Sequence, residues 1–186
     1  MKLSYNWLKE FVDIKVTPDQ LAEDLNSFGH EVEDVKKIGN DYIFNLSITA
    51  NRGDCLSVLG MAREIAALYN LKIQTKNEKP NLKSEILNHK LNIKISDFSI
   101  CPRYSARIIN NIKIDESPQW IQDRLKSVGI RPINNVVDIT NYIMMETGQP
   151  LHTFDYNKIH DGEMNVELAK AGETVMTLDG KDRRLN

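Results

Sequence analysis

Gly129-Ile-Arg-Pro-Ile-Asn-Asn-Val-Val-Asp-Ile-Thr-Asn-Tyr-Ile-Met-Met-Glu-Thr-Gly-Gln-Pro-Leu-His-Thr-Phe-Asp155 is the stretch in which hydrophobic pattern and polar chemistry coincide. Ile133, Val136, Val137, Thr140, Ile143 and Met144 recur at helical spacing. Pro132 stands near the start, Gly148 where a left-handed cap belongs, and Pro150 where the helix can no longer continue. The spacing predicts one amphipathic helix of about three to four turns. Its polar residues exceed what core packing needs: Arg131 precedes it, Asn134, Asn135, Asp138 and Asn141 interrupt it, and Gln149-Pro150-Leu151-His152 leaves it in an extended turn. Taken singly, each is as well explained by a solvated surface. The string as a whole is far more particular.

Outward from this helix, Ser117-Pro118 starts a second capped helix with Trp120, Ile121, Leu125 and Val128 as its buried face and Gly129 as its stop. Leu91, Ile93 and Ile95 alternate, as do Tyr104, Ala106 and Ile108, which predicts two strands around the loop Asp97 to Pro102. Downstream, Met164 to Leu168 and Thr174 to Leu178 read as strands, with Asp179-Gly180 as a hairpin turn into Arg183 to Leu185.

Nearer the start, Ser4 caps a short helix in which Trp7, Leu8, Phe11 and Val12 share a face. Thr17-Pro-Asp-Gln20 supplies an N-cap, a first-turn proline and a capping-box glutamine for a helix over 17–28, whose stripe is Leu21, Ala22, Leu25 and Phe28 and whose stop is Gly29. His30 to Ile38 reads as a strand, Gly39-Asn40-Asp41 as a turn, and Tyr42 to Ile48 as its partner strand. Asn51-Arg-Gly-Asp54 then leads into a helix from about 55 to 69 with Val58, Met61, Ala62, Ile65 and Leu68 inward. The Arg-Gly-Asp tripeptide is turn and cap chemistry here, not an adhesion signal. Leu71 to Ile73 is expected to return to the sheet, and the aperiodic polar run that follows reads as a linker. The class is α+β: a small N-terminal domain over 1–75, a linker over 76–90, and a mixed sheet-and-helix domain over 91–186.

A net charge of -2 offers no global basic field, so any contact with RNA must be local. Cys55 and Cys101 lie in unrelated contexts without C-x-x-C spacing, and no leader is evident, which points to a reducing cytoplasm. His30, His89, His152 and His160 show no metal-ligand spacing with each other or with the cysteines, so no structural zinc is expected. Phosphate-cradling G-x-x-x-x-G-K and G-x-G-x-x-G runs are both missing, and no apolar run reaches bilayer length.

The run from Gly129 to Asp155 resembles, nearly residue for residue, the opening of the editing domain of bacterial phenylalanyl-tRNA synthetase beta subunits. The signature there reads G-I-R-P-I-N-N-V-V-D-I-T-N-Y, a few residues, then G-Q-P-L-H-x-F-D. Met1 to Asp13 and Asn51 to Ala66 are similar to the same family. The resemblance implies that the second domain is a B3/B4-type editing domain and that Arg131, Thr140 and His152 line its pocket. Arg131 would anchor the terminal adenosine's phosphate or ribose, Thr140 the ester or a water, and His152 the attacking water or the ribose. Asn141 is a further candidate by proximity. The family's inserted oligonucleotide-binding barrel, between the equivalents of Ile38 and Asp41, is replaced here by a tight turn. Its other pocket residues, a glutamate and small residues on later strands, are expected after Asn186, so the chain reads as the N-terminal part of a beta subunit.

The same resemblance implies a cytoplasmic α2β2 assembly with an alpha subunit that holds the aminoacylation site, ATP and Mg2+, acting on tRNA(Phe), with no DNA, no membrane and no cofactor in this chain. Editing has a physical motive, because a hydrophobic pocket for phenylalanine cannot strongly reject a side chain that only adds a hydroxyl. The competing expectation is a non-catalytic tRNA- or subunit-binding scaffold.

Overall fold

The computed structural model describes residues 1–74, 90–177 and 180–185. It is α+β and divides into two compact units, one gathering Met1–Asn81 with Lys113–Thr153, the other Leu82–Ile112 with Phe154–Asn186.

The first unit is built on a three-stranded antiparallel sheet. Strands β1 (Lys2–Ser4), β2 (Glu31–Ile38) and β3 (Asp41–Ser47) lie in the order β1-β3-β2, with Leu3 opposite Phe44 and Val35 opposite Phe44 on its other side. Around the sheet pack helices α1 (Tyr5–Leu8), α2 (Pro18–Ser27), α3 (Val58–Leu68), α4 (Gln119–Ser127) and α5 (Asn135–Thr147). Trp7, Leu8, Val12, Leu21, Leu25, Phe44, Leu46, Met61 and Ile65 are fully buried and form one core.

Local chemistry explains the helix boundaries. Ser4 Oγ accepts from Trp7 N, Thr17 Oγ1 from Gln20 N and Ser57 Oγ from Gly60 N, each satisfying a donor that a helix start leaves unpaired. The Gln20 side chain does not close the expected capping box. It donates to Asp24 Oδ1 one turn on, at 3.0 Å. The helix expected from about 55 is split: a 3-10 turn over Gly53–Cys55 precedes Ser57, which caps α3.

The second unit holds a parallel pair, β4 (Asn92–Ile95) with β5 (Glu163–Val166), and an antiparallel pair, β6 (Thr174–Met176) with β7 (Asp182–Arg184). Gly162, at φ 64, precedes β5 with the Lys90 carbonyl so close that an added Cβ would lie 2.4 Å from its oxygen.

Several expectations need correction. Tyr104, Ala106 and Ile108 alternate, but 103–110 is not a strand, since no described strand lies beside it to complete a ladder. Leu71 to Ile73 does not rejoin the sheet; Leu71 and Ile73 pack on the core and the Gln74 N–H donates to the Phe11 carbonyl at 2.7 Å. Trp120 is 52% exposed, while Ile121, Leu125 and Val128 are buried as expected. Ser117 caps nothing, because its hydroxyl is engaged elsewhere. The expected linker lies, apart from Lys90, outside the described residues, as do Leu178 and Asp179 of the expected hairpin. Packing groups α4 and α5 with the N-terminal sheet, a different division from 1–75 and 91–186, since Val128, Ile130, Tyr142 and Met145 join its core. No described helix is long and apolar enough to cross a membrane.

Candidate functional site

Helix α5 organises the candidate site, and two devices fix its start. Asn134 caps it, its Oδ1 accepting from Val136 N at 3.1 Å and Val137 N at 3.0 Å. Asp138, only 1% exposed, turns its carboxylate inward: Oδ2 accepts from the Ser117 hydroxyl at 2.5 Å and Oδ1 from the Ile133 N–H at 2.8 Å. A carboxylate in the first turn also faces the positive end of the helix dipole. Asn135 adds a link, its side chain donating to the Lys113 carbonyl at 2.9 Å. The turn that carries Arg131 is held to α5 through the Ile133 N–H and to α4 through the Ile130 N–H, which donates to the Leu125 carbonyl at 2.8 Å. At the other end Gly148, at φ 81, takes the left-handed cap, and its position over Ser57 brings the end of α5 to the start of α3.

The three residues singled out in the sequence lie before, on and after this helix, in one compact unit. Arg131 is exposed in the turn before it. Thr140 is half-buried on its second turn, and its hydroxyl donates to the Val137 carbonyl at 2.7 Å, which leaves the oxygen free only as an acceptor. His152 is exposed beyond the C-cap. Thirteen residues at 1.5 Å rise separate the two ends of α5 by about 20 Å. Arg131 and His152 thus flank opposite ends of the helix, with Thr140 between. Asn141 is half-buried next to Thr140.

The apolar residues of α5 read from the sequence do not face this core. Ile133 is 68% exposed, and Val136, Val137, Ile143 and Met144 are half-buried; Tyr142 and Met145 are the ones that pack on the N-terminal core. There Tyr142 stacks on Trp7, ring centroids 5.0 Å apart, and Trp120 meets Tyr142 edge-on at 5.5 Å. The Arg124 guanidinium lies 5.3 Å from both tryptophan rings and donates to the Tyr142 hydroxyl at 2.9 Å. Glu10 pairs with Arg124, while Glu146 accepts from the Tyr142 hydroxyl and from Trp7 Nε1. Burial, reinforced by Glu146, pushes the Tyr142 phenol well above its ordinary range. Trp120 is exposed because it covers Arg124. Beside this cluster an open hollow of about 620 Å³ is lined by Asn6, Trp7, Glu10, Asp41, Arg124 and Lys126, and none of Arg131, Thr140 and His152 lines it.

A second polar cluster gathers residues that linear spacing kept apart. His30, at the entry to β2, Cys55 and Glu64 on α3 bring ring nitrogen, sulfur and carboxylate within 4.8 Å of one another. His30 Nε2 lies 3.2 Å from Glu64 Oε2, and Arg52 Nη2 bridges Glu64 Oε1 at 2.9 Å and Asp54 Oδ2 at 2.8 Å. Cys55 Sγ is 3.5 Å from Asp54 Oδ2. The Arg52 guanidinium holds the Asp54 carboxyl down at about 2, and burial, with Asp54 adding to it, pushes the Cys55 thiol up to about 11. Motif spacing missed this cluster because its donors come from three separate elements.

Comparison with known proteins adds to this geometry. Residues 100–186 match a family described as B3/4 domain. The whole chain is 39% identical to the phenylalanine–tRNA ligase beta subunit of Rhodopirellula baltica, spanning 27% of that protein. Over 84% of its length it is 46% identical to the beta subunit of Carboxydothermus hydrogenoformans, and over 78% it is 46% identical to that of Fusobacterium nucleatum, covering 19% and 18% of them. The chain therefore spans about a fifth to a quarter of the length of these relatives.

Proposed function

The chain matches a fragment of the phenylalanine–tRNA ligase beta subunit, and from that premise we propose that it contributes to hydrolytic editing of tyrosine mischarged on tRNA(Phe). The supporting observation is the α5 region: a B3/4-type sequence in which an exposed guanidinium, a hydroxyl and an exposed imidazole stand before, on and after one helix whose start is pinned from inside by Asp138. Arg131 would hold a phosphate or ribose of the terminal adenosine, as its planar fork of donors suits it to do. Thr140, with its own proton committed to Val137, would accept from a substrate hydroxyl or a water rather than donate. His152 would orient the attacking water or the ribose.

The wider reading follows from the relatives. As part of an aminoacyl-tRNA synthetase, the chain would work in the cytoplasm with an alpha subunit, in an α2β2 assembly, on tRNA(Phe). ATP and Mg2+ would serve the aminoacylation site of the whole synthetase, and this chain would hold no cofactor for the reaction.

One observation favours a second reading, a tRNA- or subunit-binding module that hydrolyses nothing. The ends of α5 stand about 20 Å apart, a span suited to an extended ligand as much as to a reaction centre. Hydrolysis of tyrosyl-tRNA(Phe) by the chain, by Arg131→Ala and by His152→Ala, alongside tRNA binding, separates the two. Editing predicts tyrosine release that falls at least about tenfold in both variants. Binding without release, weakened by Arg131→Ala, supports the module.

A further inference from the structure

The cluster of His30, Arg52, Asp54, Cys55 and Glu64 has no part in the editing reading, and its chemistry is that of a cation site. We propose that His30, Cys55 and Glu64 bind a single zinc-class divalent cation that competes with the Arg52 guanidinium for Glu64.

Three observations carry this. The donor set of one imidazole, one thiol and one carboxylate is the mixture that a borderline-soft tetrahedral ion takes. With metal-to-ligand bonds of about 2.0–2.3 Å, donors in a tetrahedral site stand about 3.3–3.8 Å apart. Here the three lie within 4.8 Å of one another, two of them at 3.2 Å, so shifts of about 1 Å close the shell. The positions are also held. His30 is 4% exposed, with its backbone N–H on the Leu25 carbonyl at 2.9 Å, Cys55 is fully buried in a 3-10 turn, and Glu64 is on the second turn of α3.

The third observation is charge. Arg52 already places a cation against Glu64 and Asp54, on a side chain one-third exposed and so able to swing out. With the thiol protonated, the Glu64 and Asp54 carboxylates and the single Arg52 guanidinium leave the metal-free cluster at -1. When a dication binds, the Cys55 proton passes to solvent, thiolate and carboxylate balance the ion, and Arg52 retires to Asp54. The sum rises from -1 to zero, so binding leaves no uncompensated charge in the cluster. One proton is released, so affinity should rise about tenfold per pH unit while the thiol is protonated.

Cobalt(II) is the probe, titrated into the metal-free chain carrying Cys101→Ser, so that Cys55 is the sole thiol. The expected result is a thiolate-to-cobalt charge-transfer band that saturates at one equivalent and is bleached by zinc. His30→Ala should weaken binding at least about tenfold, as loss of one ligand does, and Cys55→Ser should abolish the band. Arg52→Ala should bind more tightly, because the competitor is gone. That gain of affinity tests the proposal even if Cys55→Ser fails to fold. No band in either the Cys101→Ser chain or its Arg52→Ala form overturns the proposal, as does a band unchanged by His30→Ala, or one weakened by Arg52→Ala.

Discussion

Asp138 is the residue on which the candidate site's geometry turns, and its replacement by alanine should be costly. Two donors converge on its carboxylate, the Ser117 hydroxyl at 2.5 Å and the Ile133 N–H at 2.8 Å. Hydrogen bonds to a charged acceptor contribute about 1.5–3 kcal/mol each, and a buried donor left unpaired costs about 1–3 kcal/mol. Ser117 is only 5% exposed, so its hydroxyl would be stranded; water reaches the exposed Ile133 turn and softens the second loss. The expected loss for Asp138→Ala is therefore about 3–4 kcal/mol. Asp138→Asn keeps one acceptor and should lose about 1–2 kcal/mol. Both tryptophans, Trp7 and Trp120, belong to the same compact unit as Asp138, so urea unfolding followed by tryptophan fluorescence reports on that unit. A double-mutant cycle with Ser117→Ala should give a coupling of about 1 kcal/mol or more. A loss below about 1 kcal/mol for Asp138→Ala, or strict additivity with Ser117→Ala, would refute the reasoning.

Three further outcomes follow from packing and titration. In Gly60→Ala the new Cβ would lie 2.0 Å from the Asp54 carbonyl oxygen, so overpacking outweighs the gain of about 1 kcal/mol in helix propensity, and a net loss of about 2 kcal/mol should appear in the same urea assay. Arg124→Ala removes a charged hydrogen bond to Tyr142, the pair with Glu10 and a guanidinium against two indoles, and should cost about 2–3 kcal/mol with a change in tryptophan emission; unchanged emission would contradict the cluster. Burial raises the phenols of Tyr5, Tyr69 and Tyr142, with Asp24 and Glu146 adding to the last two, so the folded chain keeps protons that the unfolded chain gives up near pH 10. That contribution is whole below about pH 10 and declines as pH rises above it, and Tyr142→Phe should flatten the decline in fluorescence-monitored melts.

Much of the first unit was legible in the sequence because its signals are local. Ser4, Thr17-Pro18 and Gly148 act within one helical turn, and alternation in Tyr42 to Ile48 needs only one buried face. What was not legible depended on partners far along the chain. Tyr104, Ala106 and Ile108 have the alternation of a strand without a ladder to join. Trp120 looked like core because aromatic residues usually are; an arginine from its own helix and a tyrosine from α5 made it a cover instead. Asp138 looked like a solvated polar break, and only Ser117, 21 residues earlier, reveals it as an anchor. The candidate residues Arg131, Thr140 and His152 were legible as a motif. Their placement before, on and after a 13-residue helix, and the commitment of the Thr140 proton to Val137, were not. His30, Cys55 and Glu64 come from three elements, beyond the reach of any spacing rule.

Tyrosine release from tyrosyl-tRNA(Phe), set against phenylalanine release from phenylalanyl-tRNA(Phe) by the same protein, tests the editing account most directly. A site that satisfies the phenolic hydroxyl with buried partners should favour the tyrosyl ester by about 10⁴ or more, because phenylalanine would leave those partners unpaired. His152→Ala and Arg131→Ala should lower the tyrosyl rate. Equal release from the two esters, or release untouched by both substitutions, would contradict the account.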